Sequence, residues 1–537
     1  MRIVPGRVRR FLHGGLPGVG LPCTIDLAIA QEIVLPLAAV PPGSGFMELQ
    51  LQLDLPWDET GRYEHSKLYY ATAAPWEFSE ERNICLHVAH VGRVLTMRVV
   101  LPPAVCAAGR VRLRLDPAPG SHAGTATLHA LRFVPAATDD AVSRAAGLED
   151  LKDRTRRELV VAEHAHAEVV PVLPHSLVLE LTARCNLTCT HCSSHGTQQL
   201  HLRHNRMAEM PVERFERLAD EVFPSLTTFG LVGRGEPLIA SDRLWRAVVR
   251  KLVQHQVRLT LVTNGCYVTK RITPDVVERL ETIHISVDGG TPETFAANRG
   301  GASLDETLAA LAHVDRLRRA AGLARRPRIG VSWTLKANNV HELPAFVERA
   351  VGLGIDQLTV RHLLVFHGHN RDESLVDRPD LVNGPLGATY EILHRHGVRS
   401  DCPPLMQEGA PSARSAPVTD SASSSSARDR DGCLFIHRTA VVHSDGLVPT
   451  CGAHFSAAAG HLEEEPSFAA IWNGPVLRRV RATLDTPDEL AQCTNCWYRE
   501  GRYQSQRQAF DDRIEEFDLS RPDQFTQRSW NFEDFEQ

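Results

Sequence analysis

Three closely spaced cysteines place the strongest constraint on what this chain can fold into. Cys185, Cys189 and Cys192 follow the apolar run 176–181 in a C-x3-C-x2-C pattern. Three thiolates on one short loop can bind three irons of a cubane iron–sulfur cluster and leave the fourth iron open to another ligand. A structural zinc site would need four protein ligands. The loop therefore predicts a metal cluster with one open position; an unrelated zinc loop or three separate thiols is the alternative.

This cysteine loop resembles the signature of the radical S-adenosylmethionine (SAM) superfamily, C-x3-C-x-Φ-C, with His191 in the Φ position. The resemblance implies a [4Fe-4S] cluster whose open iron binds the amino and carboxylate groups of SAM. It also implies that the reduced cluster cleaves SAM to a 5′-deoxyadenosyl radical, which takes a hydrogen atom from a substrate. His191 is then expected to lie near the cofactor without binding metal.

Length and composition narrow the function classes. A chain of 537 residues is expected to hold about two to four domains. The net charge of −6 shows no basic bias, so we expect no nucleic-acid partner. No apolar run is long enough for a membrane span, and the first residues lack the apolar core of a signal peptide. Twelve cysteines in such a chain indicate metal ligands and thiols in the reducing cytoplasm.

Residues 1–138 are predicted to form an all-β domain. Apolar and polar residues alternate in runs such as 47–55 and 111–116, and glycine–proline clusters separate the runs. A β-sandwich or jelly roll is the expected architecture. Aromatic residues between Trp57 and Trp76 suit stacking on sugars, which makes this a candidate carbohydrate-binding domain; packing at the sandwich edge is the alternative. Residues 139–173 are expected to form a helical linker.

Strand-like and helix-like segments alternate through the region 174–402. Such alternation predicts a parallel sheet whose site lies at the carboxyl ends of the strands. The superfamily resemblance implies a partial (β/α)6 barrel similar to a TIM barrel. The six strand-like runs are Leu177–Leu181, Thr228–Val232, Val257–Val262, Thr282–Val287, Ile329–Leu335 and Leu358–Val365.

A glycine-rich motif follows the second predicted strand. Gly235 and Glu236 stand in the run Gly-Arg-Gly-Glu-Pro, where Arg234 interrupts the glycine pair typical of the superfamily. Glycine lets the backbone approach a ligand closely. The resemblance implies that this loop binds the amino group of SAM, and an ordinary loop turn is the alternative.

Polar residues also follow the later strands. Asn264 comes after the third strand, Ser286 and Asp288 come at the end of the fourth, and Arg361 lies on the sixth. Their side chains suit hydrogen bonds to ribose hydroxyls and, for Arg361, a charged pair with the SAM carboxylate. The resemblance implies that they line the SAM pocket. A salt bridge between the barrel and a loop is the alternative role of Arg361.

Four more cysteines form a second group, predicted to bind an auxiliary [4Fe-4S] cluster, with zinc as the alternative. They are Cys433, Cys451, Cys493 and Cys496. The group resembles the SPASM/twitch extension of radical SAM enzymes, and it is closer to the shorter twitch form because no cysteine follows Cys496. We predict a small α+β domain over 433–500, after a disordered linker over 403–432 and before a tail over 501–537.

The expected function is a radical SAM reaction on a carbohydrate or aminocyclitol substrate. Oxidation or epimerisation at a carbinol carbon would follow, with the auxiliary cluster accepting an electron and a flavodoxin or ferredoxin supplying the reductant. A maturase that modifies a ribosomal peptide is one alternative. A non-catalytic, metal-bearing scaffold that binds glycans is another.

Overall fold

The structure, a computed structural model, describes residues 9–11, 22–30, 32–55, 66–79, 82–86, 92–118, 123–192, 194–195, 209–323, 326–363, 371–375, 378–403, 405–406, 433–452, 456–490 and 493. Most of the predicted linker (407–432) and the whole predicted tail (501–537) lie outside these residues. The chain divides into two compact units, Met1–Arg154 with Arg318–Pro327 and Thr155–Leu317 with Arg328–Gln537. The finer domain boundaries stay predictions.

The described residues of the first unit form strands, one short helix and the first turns of a longer helix that continues into the second unit. Its elements are β1 (Arg9–Phe11), β2 (Cys23–Asp26), β3 (Glu32–Val34), β4 (Ala38–Ala39), β5 (Ser44–Asp54), β6 (Ser66–Ala71), β7 (Asn83–Leu86), β8 (Val94–Val100), α1 (Pro103–Ala108), β9 (Arg110–Asp116) and β10 (Thr125–Pro135). One sheet has the order β1-β3-β9-β6-β7, with β4 also on β9, and the other has the order β2-β10-β5-β8. Buried side chains of both sheets form a shared hydrophobic core.

Two aromatic residues that the sequence offered for sugar stacking pack inside this first unit. Tyr69 is buried, and the Arg114 guanidinium lies 3.9 Å from the centre of its ring. Tyr70 packs against the core. Trp57 and Tyr63 lie outside the described residues. The packing role therefore describes Tyr69 and Tyr70 better than a sugar-binding role does.

The second unit is built on a parallel sheet. Its elements begin with α2 (Ala141–His164), β11 (Ser176–Leu179), β12 (Thr188–Cys189), α3 (Val212–Val222), β13 (Thr228–Leu231), α4 (Asp242–Gln254), β14 (Arg258–Thr263), α5 (Val268–Arg271), α6 (Pro274–Val277), β15 (Leu280–Ser286), α7 (Pro292–Asn298), β16 (Arg299–Gly300) and α8 (Leu304–Ala320). They continue with β17 (Arg328–Leu335), α9 (Leu343–Val351), β18 (Gln357–His362), α10 (Pro379–His396), β19 (Arg399–Asp401), α11 (Leu434–Arg438), β20 (Thr439–Val442), β21 (Leu447–Pro449), β22 (Ala458–His461), α12 (Phe468–Trp472) and α13 (Pro475–Thr483).

Eight strands form the central sheet in the order β19-β18-β17-β15-β14-β13-β11-β20. Every neighbouring pair is parallel. The six predicted strands occupy its centre, so the predicted parallel sheet is confirmed, and its open order is consistent with a partial barrel. The predicted count of six falls short by two, because β19 and β20 extend the two edges. The carboxyl ends of all eight strands share one edge of the sheet.

The helices cover the sheet through apolar stripes. On α3, residues with helical spacing are buried: Phe215, Leu218, Ala219 and Val222. The next helix, α4, begins at a clear cap, since the Ser241 hydroxyl accepts a hydrogen bond from the Leu244 N–H at 3.3 Å. Such stripes bury one helical face and leave the other polar.

The C-terminal module joins this sheet through β20, which pairs with β11. A hairpin of β21 and β22 follows, and α12 and α13 complete the module. Arg481 on α13 is almost fully buried and donates to the carbonyl oxygens of Ile436 at 2.6 Å and Trp472 at 2.8 Å. These contacts hold α13 against α11 and α12.

Candidate functional site

The cysteine loop lies at the carboxyl edge of the central sheet, directly after β11. Cys189 belongs to β12, which pairs with β16 and places Cys189 opposite Arg299. The Thr190 N–H donates to the Asn298 carbonyl at 3.1 Å, and the Cys192 N–H closes a turn onto Cys189 at 3.0 Å. The loop is therefore held by the 298–300 segment, independently of any ligand.

The three thiols have the surroundings that a cluster requires. All three are partly buried, and backbone N–H groups point at two sulfurs, from Leu187 to Cys185 at 3.5 Å and from His195 to Cys192 at 3.3 Å. Burial raises the pKa of Cys185 and raises that of Cys189 to about 12. Metal binding would deprotonate these thiols, and N–H donors stabilise the resulting thiolates. The residues present thus fit a three-cysteine cluster.

Within the described part of the chain, no three His, Cys, Asp or Glu side chains converge on a point where one metal ion would sit. A cubane cluster places each thiolate on a different iron. Cluster ligands are therefore spread more widely than the ligands of a single ion. Three cysteines arranged for a cluster are thus not expected to form a single-ion site.

Asp288 makes its strongest contacts within the protein. Its carboxylate accepts hydrogen bonds from Arg299 Nε and from the Thr334 N–H, both at 2.6 Å, and is almost fully buried. Burial alone would raise the pKa of Asp288, but the Arg299 guanidinium outweighs it and holds that pKa low. The predicted ribose contact of Asp288 stays a prediction, and the structure adds a second role in fixing the loop.

His191 lies beside this ion pair, with Nε2 at 3.5 Å from Asp288 Oδ2. Burial lowers the pKa of His191 to about 4. The imidazole is therefore neutral at neutral pH. His191 is itself part of the cysteine loop, and its expected place near the cofactor stays a prediction.

The Gly235–Glu236 loop packs directly against the backbone that precedes Cys185. A Cβ atom on Gly235 would lie 2.2 Å from the Arg184 carbonyl oxygen and 2.4 Å from that of Thr182. The Glu236 N–H donates to the same Arg184 oxygen at 2.8 Å. Glycine is therefore required at 235 to let two backbones approach so closely.

The Glu236 carboxylate organises the neighbouring strand ends. It accepts hydrogen bonds from the Leu238 N–H at 3.1 Å, the Thr263 hydroxyl at 2.7 Å and the Asn264 N–H at 2.8 Å. Burial raises its pKa. Its carboxylate is thus engaged by the protein, and the structure favours a positioning role for Glu236.

Asn264 reaches the cysteine loop. Its Nδ2 donates to Asn186 Oδ1 at 2.9 Å and lies 4.0 Å from Cys185 Sγ. Ser286 is half-buried at the end of β15, opposite Ser332 on β17. The structure therefore brings Asn264 to the cysteines and leaves Ser286 on a polar stretch of the same sheet edge.

Arg361 forms a salt bridge, but with the neighbouring strand of the sheet and not with a loop, as the alternative role had it. Its guanidinium pairs with the Asp401 carboxylate and donates to the carbonyl oxygens of Val360 and Asp401, both at 2.7 Å. These bonds tie β18 to β19. A contact with the SAM carboxylate stays a prediction.

The second cysteine group is partly described. Cys433, Cys451 and Cys493 are half-buried. Cys433 and Cys493 pack against the small core around Ile436, whereas Cys451 follows β21. Cys496 lies outside the described residues. Three of the four predicted auxiliary ligands are thus placed within the C-terminal module.

Sequence reasoning missed a buried lysine beside the cysteine loop. Lys336, at the end of β17, is fully buried. Its Nζ donates to Thr190 Oγ1 at 3.0 Å and Asn298 Oδ1 at 2.7 Å, and it pairs with Glu373 at 2.9 Å. A single lysine after an apolar strand carries no spacing signal, so only the fold reveals this contact.

Comparison with known families identifies both cysteine groups. The radical SAM superfamily profile matches residues 179–320, and the iron–sulfur cluster-binding SPASM domain matches residues 433–497. The chain carries a radical SAM domain and, after it, a SPASM domain. Its cofactors are therefore SAM, a three-cysteine [4Fe-4S] cluster and a second [4Fe-4S] cluster in the SPASM domain.

Two relatives cover different shares of this radical SAM protein. An AdoMet-dependent heme synthase from Methanosarcina barkeri is 28% identical over 339 residues, which span 61% of this chain and 89% of the relative. Mycofactocin maturase MftC from Mycobacterium tuberculosis is 33% identical over 187 residues, which span 34% of this chain but only 43% of that relative.

Streptococcus suis SuiB bound to S-adenosylmethionine is one similar solved structure, with a TM-score of 0.43 and 14% identity. The match covers 67% of this chain and 77% of SuiB. Among the described residues, no helix has the length and apolar character needed to span a membrane.

Proposed function

We propose that this radical SAM protein is a maturase that modifies a precursor peptide. The observation that carries the enzymatic part is the cysteine loop, whose three thiols are partly buried, whose entering backbone packs on Gly235 and whose Cys185 Sγ lies 4.0 Å from Asn264 Nδ2. The support for a peptide substrate is the likeness to mycofactocin maturase MftC. A peptide replaces the carbohydrate as the first choice of substrate, since neither the heme synthase nor MftC is named for a sugar.

The chain's own residues would have the following roles. Cys185, Cys189 and Cys192 hold the first cluster. With SAM bound, this cluster supplies a 5′-deoxyadenosyl radical. Gly235 lets its loop lie against the backbone that enters Cys185, while Asn264 fixes the loop around Cys185.

The SPASM cysteines would hold the second cluster, with Cys496 as fourth ligand to Cys433, Cys451 and Cys493. A cluster with four protein ligands has no open iron, so electron transfer is its proposed role. A substrate radical left by hydrogen abstraction would pass its electron to this cluster when the net reaction is an oxidation. A flavodoxin or ferredoxin is the proposed source of electrons for the first cluster.

A tetrapyrrole substrate is the second candidate. The aligned region spans 89% of the heme synthase from Methanosarcina barkeri. An alignment over most of a relative's length favours a shared domain layout, and this is the observation that supports the second candidate.

Anaerobic reconstitution tests the enzymatic part. The full chain is expected to bind about eight irons and to cleave SAM under reducing conditions. Cys185→Ala is expected to lose SAM cleavage, and Cys451→Ala is expected to keep the first cluster. Zinc in place of iron, without SAM cleavage, would support the non-catalytic scaffold instead.

Deuterium transfer tests the substrate. A deuterated precursor peptide encoded beside the gene is expected to label 5′-deoxyadenosine. Transfer from a porphyrin precursor would favour the tetrapyrrole, and transfer only from a panel of deuterated sugars would restore the carbohydrate as the proposed substrate.

A further inference from the structure

A buried carboxylate joins the two cluster-binding domains. Glu180 follows β11 inside the radical SAM match and is only 3% exposed. It accepts hydrogen bonds from the Arg234 N–H at 2.8 Å, Arg234 Nε at 2.9 Å and Arg234 Nη2 at 2.7 Å. The Ser444 hydroxyl donates to it at 2.7 Å and the Ser444 N–H at 3.3 Å. Because Ser444 lies inside the SPASM match, one carboxylate binds both domains.

The Arg234 side of this contact fixes the glycine loop. A Cβ atom on Gly233 would lie 2.7 Å from Glu180 Cγ, so the loop lies directly on the Glu180 side chain. Two residues later, Gly235 lies on the backbone of Thr182 and Arg184. The loop is thus held between Glu180 and the segment that enters Cys185.

The Ser444 side of the contact leads to the second cysteine group. Arg214 on α3 also binds the turn after β20, since its Nη1 donates to the Asp445 carbonyl oxygen at 2.8 Å. Gly446 completes that turn with a φ of +102°, and β21 then runs to Cys451. A short, doubly anchored path therefore connects Glu180 to a predicted auxiliary ligand.

We propose that Arg234 is a positioning residue. Through Glu180 and Ser444 it fixes the position of the SAM-binding loop relative to the SPASM cluster. The inference rests on the proposed SAM-binding role of the 233–235 loop, whatever the substrate. The planar guanidinium donates two parallel bonds to one carboxylate, an orientation that lysine cannot reproduce. Arg234, which interrupts the glycine pair typical of the superfamily, thereby acquires a function in the proposed contact.

The test uses the anaerobically reconstituted full-length holoenzyme and its Arg234→Lys, Ser444→Ala and double variants. The Kd for SAM is measured by equilibrium dialysis, and both reduced clusters are examined by electron paramagnetic resonance with and without SAM. Arg243→Lys is the matched control, because its pair with Glu213 is exposed. We expect Arg234→Lys to raise the SAM Kd at least about tenfold with full iron content.

Ser444→Ala is expected to raise the SAM Kd in the same direction and to change the auxiliary-cluster spectrum. Because the residues act as one unit, the double variant should raise the SAM Kd by less than the product of the two single-variant factors. A SAM Kd within about twofold of wild type in Ser444→Ala overturns the proposal, even where Arg234→Lys fails to load iron. Failure of the wild type itself to bind SAM would instead refute the proposed function.

Discussion

Cys189 lies directly opposite Arg299 in the two-stranded ladder of β12 and β16. Arg299 in turn donates to Asp288 at 2.6 Å, and both charged side chains are nearly inaccessible to solvent. A predicted cluster ligand, a cation and a carboxylate therefore share one small buried site. Removing one member of a buried ion pair leaves the other charge uncompensated, which costs more than the intact pair contributes.

Arg299→Leu is therefore expected to destabilise the metal-free chain by about 3 kcal/mol. Urea unfolding of the full-length protein measures the change. The same protein should retain less iron after reconstitution, because Asp288 and the β16 ladder no longer fix the cysteine loop. Arg243→Leu, which removes an exposed pair with Glu213, is the control and should unfold like wild type. Identical midpoints of urea unfolding for Arg299→Leu and Arg243→Leu would contradict the structural role of Arg299.

Gly235→Ala is expected to displace the cysteine loop. Its Cβ would lie 2.2 Å from the Arg184 carbonyl oxygen, a backbone atom that cannot move without Cys185. Reconstituted protein should lose about half of its iron, from the first site only, as measured by iron analysis and Mössbauer spectroscopy.

Gly387→Ala is the matched control, since nothing lies within 4 Å of a Cβ at that position in α10. Alanine there should stabilise the chain by about 0.5–1 kcal/mol through the lower backbone entropy of the unfolded state. Full iron and unchanged SAM binding in Gly235→Ala would show that the close approach is not needed.

The central strands could be predicted because each is an apolar run long enough to be recognised as a strand in the sequence. The edge strands could not. β19 is the three-residue run Arg-Ser-Asp, which has no apolar signal, and the sequence places the β20 residues in a separate module after the linker. Their places depend on hydrogen bonds to β18 and β11, which no local pattern encodes.

The candidate cysteine ligands can also be recognised from the sequence, because their spacing sets them apart from the other cysteines. Their supports were not predictable in the same way. Glu180 and Ser444 are 264 residues apart, and the partners of Arg299 and Lys336 likewise come from other elements. Buried charges need partners, but the sequence does not say which ones. Glu236 and Asp288, predicted as pocket residues, thus also fix neighbouring loops and strand ends through their hydrogen bonds.

Acid is expected to weaken the contact of Glu180. Burial alone would raise the pKa of Glu180, but the hydrogen bonds from Arg234 and Ser444 lower it from 4.5 to about 2. A folded-state pKa below the unfolded value stabilises the protein fully above pH 4.5, and the contribution disappears as the pH falls toward 2. Glu180→Gln should therefore cost roughly 3 kcal/mol at neutral pH and progressively less below pH 4.5.

Guanidinium unfolding of the metal-free full-length chain at several pH values measures this difference. Glu213→Gln is the control, because that carboxylate lies on the surface beside Arg243. A stability gap between wild type and Glu180→Gln that stays constant across the acid range would exclude the assigned pKa shift.

Gly330 leaves space for the ring of His284 on the neighbouring strand. The two residues are partners in the register of β15 and β17, and a Cβ on Gly330 would lie 2.7 Å from His284 Cε1. The ring also has Nδ1 at 3.5 Å from the Ser332 hydroxyl, and burial lowers its pKa to about 4. Gly330→Ala should therefore force the imidazole to move and cost about 1–3 kcal/mol.

A double-mutant cycle checks this steric cause. In a His284→Ala background the ring is gone, so Gly330→Ala should cost much less than it does in the wild type. Chemical unfolding of the four proteins at neutral pH, well above the pKa of His284, keeps its protonation from contributing. Equal costs of Gly330→Ala in both backgrounds would assign the penalty to the backbone of β17 and not to the ring, because only a direct contact between the two side chains makes the effects non-additive.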